Sequence, residues 1–208
     1  MLLATIFEEH CDSLKSIYVK EDNPQYSSDA QGALYTKGLT ELINCPGGYV
    51  GTFNVPESVI RIEDYAFEGC SKITDIALYE GVREVDCAFQ NCKSLSSIHF
   101  PQSVSSIDNE LFIGCCDLKA ITILNPECKI NVIPSIDLGH PDTTTIYGYA
   151  NSTAQAYAEK YGYKFCSLGD IGDGSFAATR YSVTLNGDGK ASGHFTLREA
   201  AAEYRFQL

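Results

Sequence analysis

The residues of this chain best suited to hold a metal, attack a substrate or cross-link are nine cysteines and four histidines. The histidines are His10, His99, His140 and His194. No two of them stand in the H-E-x-x-H or H-x-x-x-H spacing that aims two imidazoles at one zinc ion. No C-x-x-C occurs, which removes the usual zinc and redox-dithiol readings. Neither a G-x-S-x-G elbow nor a phosphate-cradling glycine loop is present. The chain therefore reads as non-enzymatic. An odd number of cysteines leaves at least one thiol free or bonded to another chain. Cys45, Cys87, Cys128 and Cys166 show no common spacing, but Cys11, Cys70, Cys92 and Cys115 share one place in a repeated pattern.

That pattern organises the elements around them. Its three full copies read Val59-x-x-Ile62 … Ala66-Phe67-x-x-Cys70-x-x-Ile73-x-x-Ile76-x-Leu78, then Val82-x-x-Val85 … Ala88-Phe89-x-x-Cys92-x-x-Leu95-x-x-Ile98-x-Phe100, then Val104-x-x-Ile107 … Leu111-Phe112-x-x-Cys115-x-x-Leu118-x-x-Ile121-x-Ile123. The phenylalanines lie 22 and then 23 residues apart. A period in the twenties with an L-x-x-L-x-L core is the mark of a leucine-rich repeat solenoid. The expected fold is α/β in class but β-rich: parallel stacked main strands, short convex strands and turns from Val-x-x-Ile, and a bend at Phe-x-x-Cys. Stacked coils are about 4.8 Å apart, so cysteines in neighbouring coils could reach disulfide distance. The simpler reading is a ladder of small, buried, reduced side chains.

Taken in order, residues 7–19 repeat part of the pattern as Cys11-x-x-Leu14-x-x-Ile17-x-Val19, the remnant of a first coil. The chain thus opens inside a repeat, which points to a piece of a longer protein. Residues 20–53 interrupt the period as a hairpin-like insertion, with short strands near 32–37 and 40–45. Residues 54–124 are the three coils. Pro126, Pro134 and Pro141 then break the pattern, and 143–168 form a cap. In the cap a last strand precedes a helix whose start is the capping box Ser152-Thr153-Ala154-Gln155 and whose stop is Gly162. Residues 1–168 are thus one domain. The tail, 169–208, reads as a hairpin around Asn186-Gly187-Asp188-Gly189 followed by a short helix over 200–206.

The net charge is −12, with no basic block, which argues against nucleic acid and against anionic membrane surfaces. No apolar run approaches the ~20 residues of a membrane span, and no signal peptide is recognisable. What remains is a surface. On the main strands the residues that alternate outward are Ser16 and Tyr18, Asp75 and Ala77, Ser97 and His99, Ala120 and Thr122, and Thr145 and Tyr147. Solenoids bind along such a rigid face. The candidate ligand-binding residues are Ser16, Tyr18, Asp75, Ser97, His99, Thr122 and Tyr147, with the aromatic ones favoured because aromatic side chains dominate hot spots.

The repeat Val-x-x-Ile … Ala-Phe-x-x-Cys-x-x-Leu-x-x-Ile resembles the BspA-type leucine-rich repeat of bacterial surface proteins. The insertion around Asn23-Pro24 and Cys45-Pro46-Gly47-Gly48 and the cap Ile146-Tyr147-Gly148-Tyr149 … Tyr161-Gly162-Tyr163 resemble other parts of such chains. The resemblance covers about residues 7–168. It implies display at the cell surface or secretion, and adhesion to a protein or glycan partner on a host or neighbouring cell. Asp170-Ile171-Gly172-Asp173-Gly174 and Asn186-Gly187-Asp188-Gly189 resemble the calcium loops of dockerins, which attach enzymes to a scaffold in polysaccharide-degrading complexes. On that alternative Asp170, Asp173, Asn186 and Asp188 would ligate calcium. Both loops depart from the pattern: the first is one residue short between its aspartates, and in the second Thr184 and Phe195 stand where acidic ligands belong. No other cofactor is expected.

Overall fold

The computed structural model describes residues 13–108, 110–131, 140–170, 181–185, 191–196 and 203–207. Each copy of the repeat forms two strands separated by a bend. The short ones are β5 (Arg61–Ile62), β7 (Glu84–Val85) and β9 (Ser106–Ile107). The main ones are β6 (Ile73–Ala77), β8 (Ser97–Phe100) and β10 (Ala120–Ile123). Before them come β1 (Tyr26–Ser28), β2 (Leu34–Thr36), β3 (Glu41–Asn44) and β4 (Gly51–Asn54). After them come β11 (Lys129–Ile130), β12 (Thr145–Ala150), helix α1 (Thr153–Tyr161) and β13 (Lys164–Asp170). The main strands stack in one parallel sheet, in the order β13-β12-β10-β8-β6-β4. The short strands stack as β3-β5-β7 and as β9-β11, also parallel. Between the two stacks lies the core that the repeat predicts, a leucine-rich solenoid.

The columns of the sequence become columns of the core. Phe67, Phe89 and Phe112 are buried and follow one another at ring-centroid distances of 5.5 and 5.7 Å. Cys70, Cys92 and Cys115 are buried beside them. The Cys92 thiol donates to the carbonyl of Phe67 at 3.2 Å, and that of Cys115 to the carbonyl of Phe89 at 3.1 Å. The Cys70 thiol reaches the carbonyl of Cys45 at 3.6 Å. These are weak bonds from thiols to main chain, and no disulfide joins any of the eight described cysteines. Burial first, and then the Cys70 thiol, push the Cys45 thiol far above its ordinary pKa. The bond to Cys115 and then burial do the same for Cys92. Cys128, buried, is pushed up to about 12.

Two further columns set the bend. The residue two before each phenylalanine (Tyr65, Cys87, Glu110) and the residue two after it (Gly69, Asn91, Gly114) have left-handed backbone. Glycine and asparagine tolerate that conformation best, which explains the second column. Gly114 also lies against the Asn91 side chain, which a Cβ there would have to displace.

Several expectations need correction. The insertion is larger than a hairpin: β1, β2 and β3 form an antiparallel meander. Its last strand joins the short-strand stack, and β4 joins the main sheet, so residues 41–54 are themselves a coil. Cys45 takes the phenylalanine position there, because its N–H bonds Ala66 O (2.7 Å) as that of Phe67 bonds Ala88 O (2.9 Å). The missing ring is replaced from the main strand by Phe53, 5.1 Å from Phe67. The period also persists after Leu124: Cys128 is buried at the place of Val104, and β11 pairs with β9. Residues 13–19 form no strand. Ile17 N–H bonds Gly32 O at 2.8 Å, and Gly48 N–H bonds Leu14 O at 2.8 Å, so this stretch leans on the meander; Phe7 and Cys11 lie outside the described residues.

The ends of the stack are closed. At β4 the Gln31 amide imitates a strand: its Oε1 accepts from Asn54 N–H (3.1 Å) and its Nε2 donates to Asn54 O (2.7 Å). At the other end α1 starts where Ser152 Oγ accepts from Gln155 N–H and stops at left-handed Gly162. Gln155 Oε1 accepts from Asn151 N–H (2.7 Å), one residue ahead of a standard capping box. Ala154, Tyr157 and Ala158 bury the helix's inner face.

Contacts divide the chain into two units, 1–171 and 172–208. The second contains β14 (Tyr181–Leu185), β15 (Ala191–Thr196) and β16 (Glu203–Gln207), antiparallel in that order. A strand thus stands where a helix over 200–206 was expected. Tyr204 and Phe206 alternate with Glu203, Arg205 and Gln207, a period of two that pairing with β15 favours over the helical tendency of the alanines before them.

Phe89→Ala removes the middle ring of the column and is expected to destabilise the fold by about 3–5 kcal/mol in chemical denaturation. Brief alkylation of the native protein, followed by mass mapping, should mark exposed Cys116 and Cys166 first and spare Cys45, Cys70, Cys92, Cys115 and Cys128. Rapid labelling of the buried set would contradict the ladder.

Candidate binding face

The parallel register turns the outward residues of the main strands into two continuous rows. One runs Thr52, Asp75, Ser97, Ala120, Thr145, Lys164 across β4, β6, β8, β10, β12 and β13. Ser97 and Thr122 align with Ala120 and Tyr147 through the same pairings, and the second row reads Asn54, Ala77, His99, Thr122, Tyr147, Cys166. The core-facing partners Ile76, Ile98, Ile121 and Ile146 fix this register, since a slip of one residue would turn every apolar side chain outward.

Asp75, Ser97, His99, Thr122 and Tyr147 therefore come together on four adjacent strands. Ser16 and Tyr18 do not join them. They lie beside the meander, on no strand, with Tyr18 82% exposed. Thr122 sits differently from its row: only 6% exposed, it lies in a trough between its larger neighbours His99 and Tyr147. Thr52, Asn54, Lys164 and Cys166 extend the rows at both ends. The Gly-rich bend before β4 and the single extended stretch of β13 lack the repeat signature that would have revealed them.

The electrostatics centre on Asp75 and His99. Asp75 is half-buried, and loss of hydration raises its pKa above the usual carboxylate value; His99 and the N–H of Ile76 act in the opposite direction. His99 reaches the surface, but crowding strips enough water from the ring to lower its pKa, with Asp75 opposing. No lysine or arginine among the described residues pairs with Asp75. Elsewhere charges do pair: Arg61 bridges Glu63 (3.1 Å) and Glu84 (3.4 Å) on the short-strand side.

The residues suggested for calcium fall almost wholly outside the described residues. Asp170 ends β13, while Asp173, Asn186 and Asp188 lie outside the described residues. The second loop connects antiparallel β14 and β15, whereas a calcium loop of that type leads into a helix. Among the described residues, no three His, Cys, Asp or Glu side chains are placed to hold a metal ion, and no helix is long and apolar enough to cross a membrane.

Comparison with known proteins agrees with this architecture. Residues 48–136 match the BspA type leucine rich repeat region, in six copies. A leucine-rich repeat protein from Eubacterium ventriosum ATCC 27560 superposes with a TM-score of 0.57 at 21% identity, over 76% of this chain and 43% of its own. The pneumococcal vaccine antigen PcpA gives 0.48 at 20% identity, over 74% of this chain and 50% of its own. The chain thus spans half or less of the length of these two proteins. No curated protein matches it.

The two central groups titrate in opposite senses. His99, with its folded pKa below the unfolded one, contributes stability present above the unfolded value and lost as pH falls through the folded value. Asp75, with its folded pKa raised, contributes stability present at low pH and lost as pH rises through its folded value. His99→Gln should therefore shrink the drop in melting temperature between neutral and mildly acidic pH, and Asp75→Asn should raise the melting temperature at neutral pH. Thermal scans of both variants across that range check both signs.

Proposed function

We propose that this chain, with residues 48–136 as BspA-type leucine rich repeats, is a non-catalytic binding module at a bacterial cell surface or in secreted form, and that it holds a protein partner on the face of its six-stranded sheet. The observation that carries this reading is the pair of rows just described. They form a rigid surface six strands wide, built from residues the core does not need. A stack held on both sides by parallel pairing presents such a surface with little ordering cost on binding. His99 and Tyr147 flank its central trough, and they supply the ring surface that interface hot spots draw on. The surface or secreted location rests on the resemblance of the repeats to those of bacterial surface proteins.

The test is a binding panel of extracellular-matrix proteins and polysaccharides, followed by substitution. For any partner found, His99→Ala with Tyr147→Ala should weaken binding by at least about tenfold, roughly 1.4 kcal/mol, while Tyr18→Ala leaves it unchanged. Loss with Tyr18→Ala alone would move the site off the sheet and sink the reading.

A further inference from the structure

The face differs in charge from the chain that carries it. The sequence has 27 acidic and 15 basic residues, yet the two rows across the sheet hold one carboxylate, Asp75, and one ammonium, Lys164, four strands away on β13. All other members are hydroxyls, an amide, small apolar groups, a thiol, His99 and Tyr147. Asp75 is thus an isolated charge on an otherwise neutral part of that surface, one strand in from its β4 edge.

Its surroundings are shaped for a long, thin side chain. The neighbours of Asp75 on the sheet are Thr52 and Ser97 across the strands and Ala77 along its own strand, with Ala120 beyond Ser97. All are short. His99 is the diagonal neighbour of Asp75, on β8. Short side chains thus surround a half-buried carboxylate, with an imidazole that burial favours as neutral diagonally beside it. A carboxylate that has lost part of its hydration and has gained no cation lowers the stability of the fold. A cation delivered from outside would offset that loss and be held more strongly than at a fully hydrated carboxylate. Lysine and arginine are built for this, since their methylene stems cover small apolar surface while the head reaches the charge. Anionic ligands meet Asp75 and the net charge of −12 as repulsion. Neutral sugars satisfy hydroxyl groups but leave the carboxylate without a counter-charge.

Building on the strand-face reading, we infer that the partner is a protein that seats one arginine or lysine side chain on Asp75, its stem lying over Ala77 and Ser97 beside His99.

The experiment uses the full chain as bait for phage-displayed random peptides, with Asp75→Asn, Asp75→Lys and Tyr147→Ala as parallel baits. Peptides selected on the native chain should be enriched in arginine or lysine and should bind Asp75→Asn at least about tenfold more weakly. Asp75→Lys should select peptides enriched in acidic residues instead. Asp75→Asn keeps size and shape, and its melting curve establishes that it is folded. Peptides that lose affinity for Tyr147→Ala, carry no basic residue and ignore both Asp75 substitutions would overturn this inference and leave the face standing. Peptides indifferent to Asp75 and Tyr147 alike would overturn the face as well.

Discussion

Register between successive coils is the constraint on which everything else in this molecule depends. A buried peptide group must find a partner, and in the bends there is no ordinary sheet to supply one. Here each bend lends its groups to the next: Phe67 N–H to Ala88 O, Gly69 N–H to Gln90 O, Phe89 N–H to Leu111 O, Asn91 N–H to Ile113 O. These bonds form only if the two left-handed positions of each bend recur in step. Once they do, the phenylalanine rings meet, the thiols reach the carbonyls of the preceding coil, and the main strands align residue for residue. The outward rows are a consequence of that alignment.

The coils are equivalent in role rather than in sequence. Cys45 stands in for a phenylalanine, and Phe53 fills the volume from the opposite strand. Cys128 replaces a valine one residue closer to its partner strand. Coil length varies too, by one residue between the short strand and the phenylalanine, where Val85-Asp86-Cys87-Ala88 is shorter than Ile62-Glu63-Asp64-Tyr65-Ala66. What is held constant is the pair of places where one coil bonds to the next. The two ends obey the same demand by other means, an amide side chain at β4 and a capped helix over the last coils.

This explains what could be read from the sequence. The columns of Phe67, Cys70 and Ile76 and their copies were legible because like residues recur at a fixed interval, and the α1 cap because Ser152, Gln155 and Gly162 are local signals. The coil at 41–54 was hidden because Cys45-Pro46-Gly47-Gly48 stands where the other coils carry Phe-x-x-Cys, so neither marker residue recurs in place. Outward direction on the main strands followed from alternation. The burial of Thr122 did not, because it depends on the size of His99 and Tyr147, which lie 23 residues before it and 25 after it. The strand at Glu203–Gln207 depended on a pairing partner that no local propensity encodes.

The thiol ladder and the bend bonds share a direction: they run along the stack, linking each coil only to its neighbours. Under tension applied through the two ends of the stack, these links are loaded one coil at a time, like teeth of a zip, and not all together as in a sheared hairpin. Each coil released would lengthen the chain by roughly 75–80 Å, the extended reach of its 22 or 23 residues. A solenoid joined in this way yields to a pull in equal steps, and the coils still stacked keep their face intact while the tether grows.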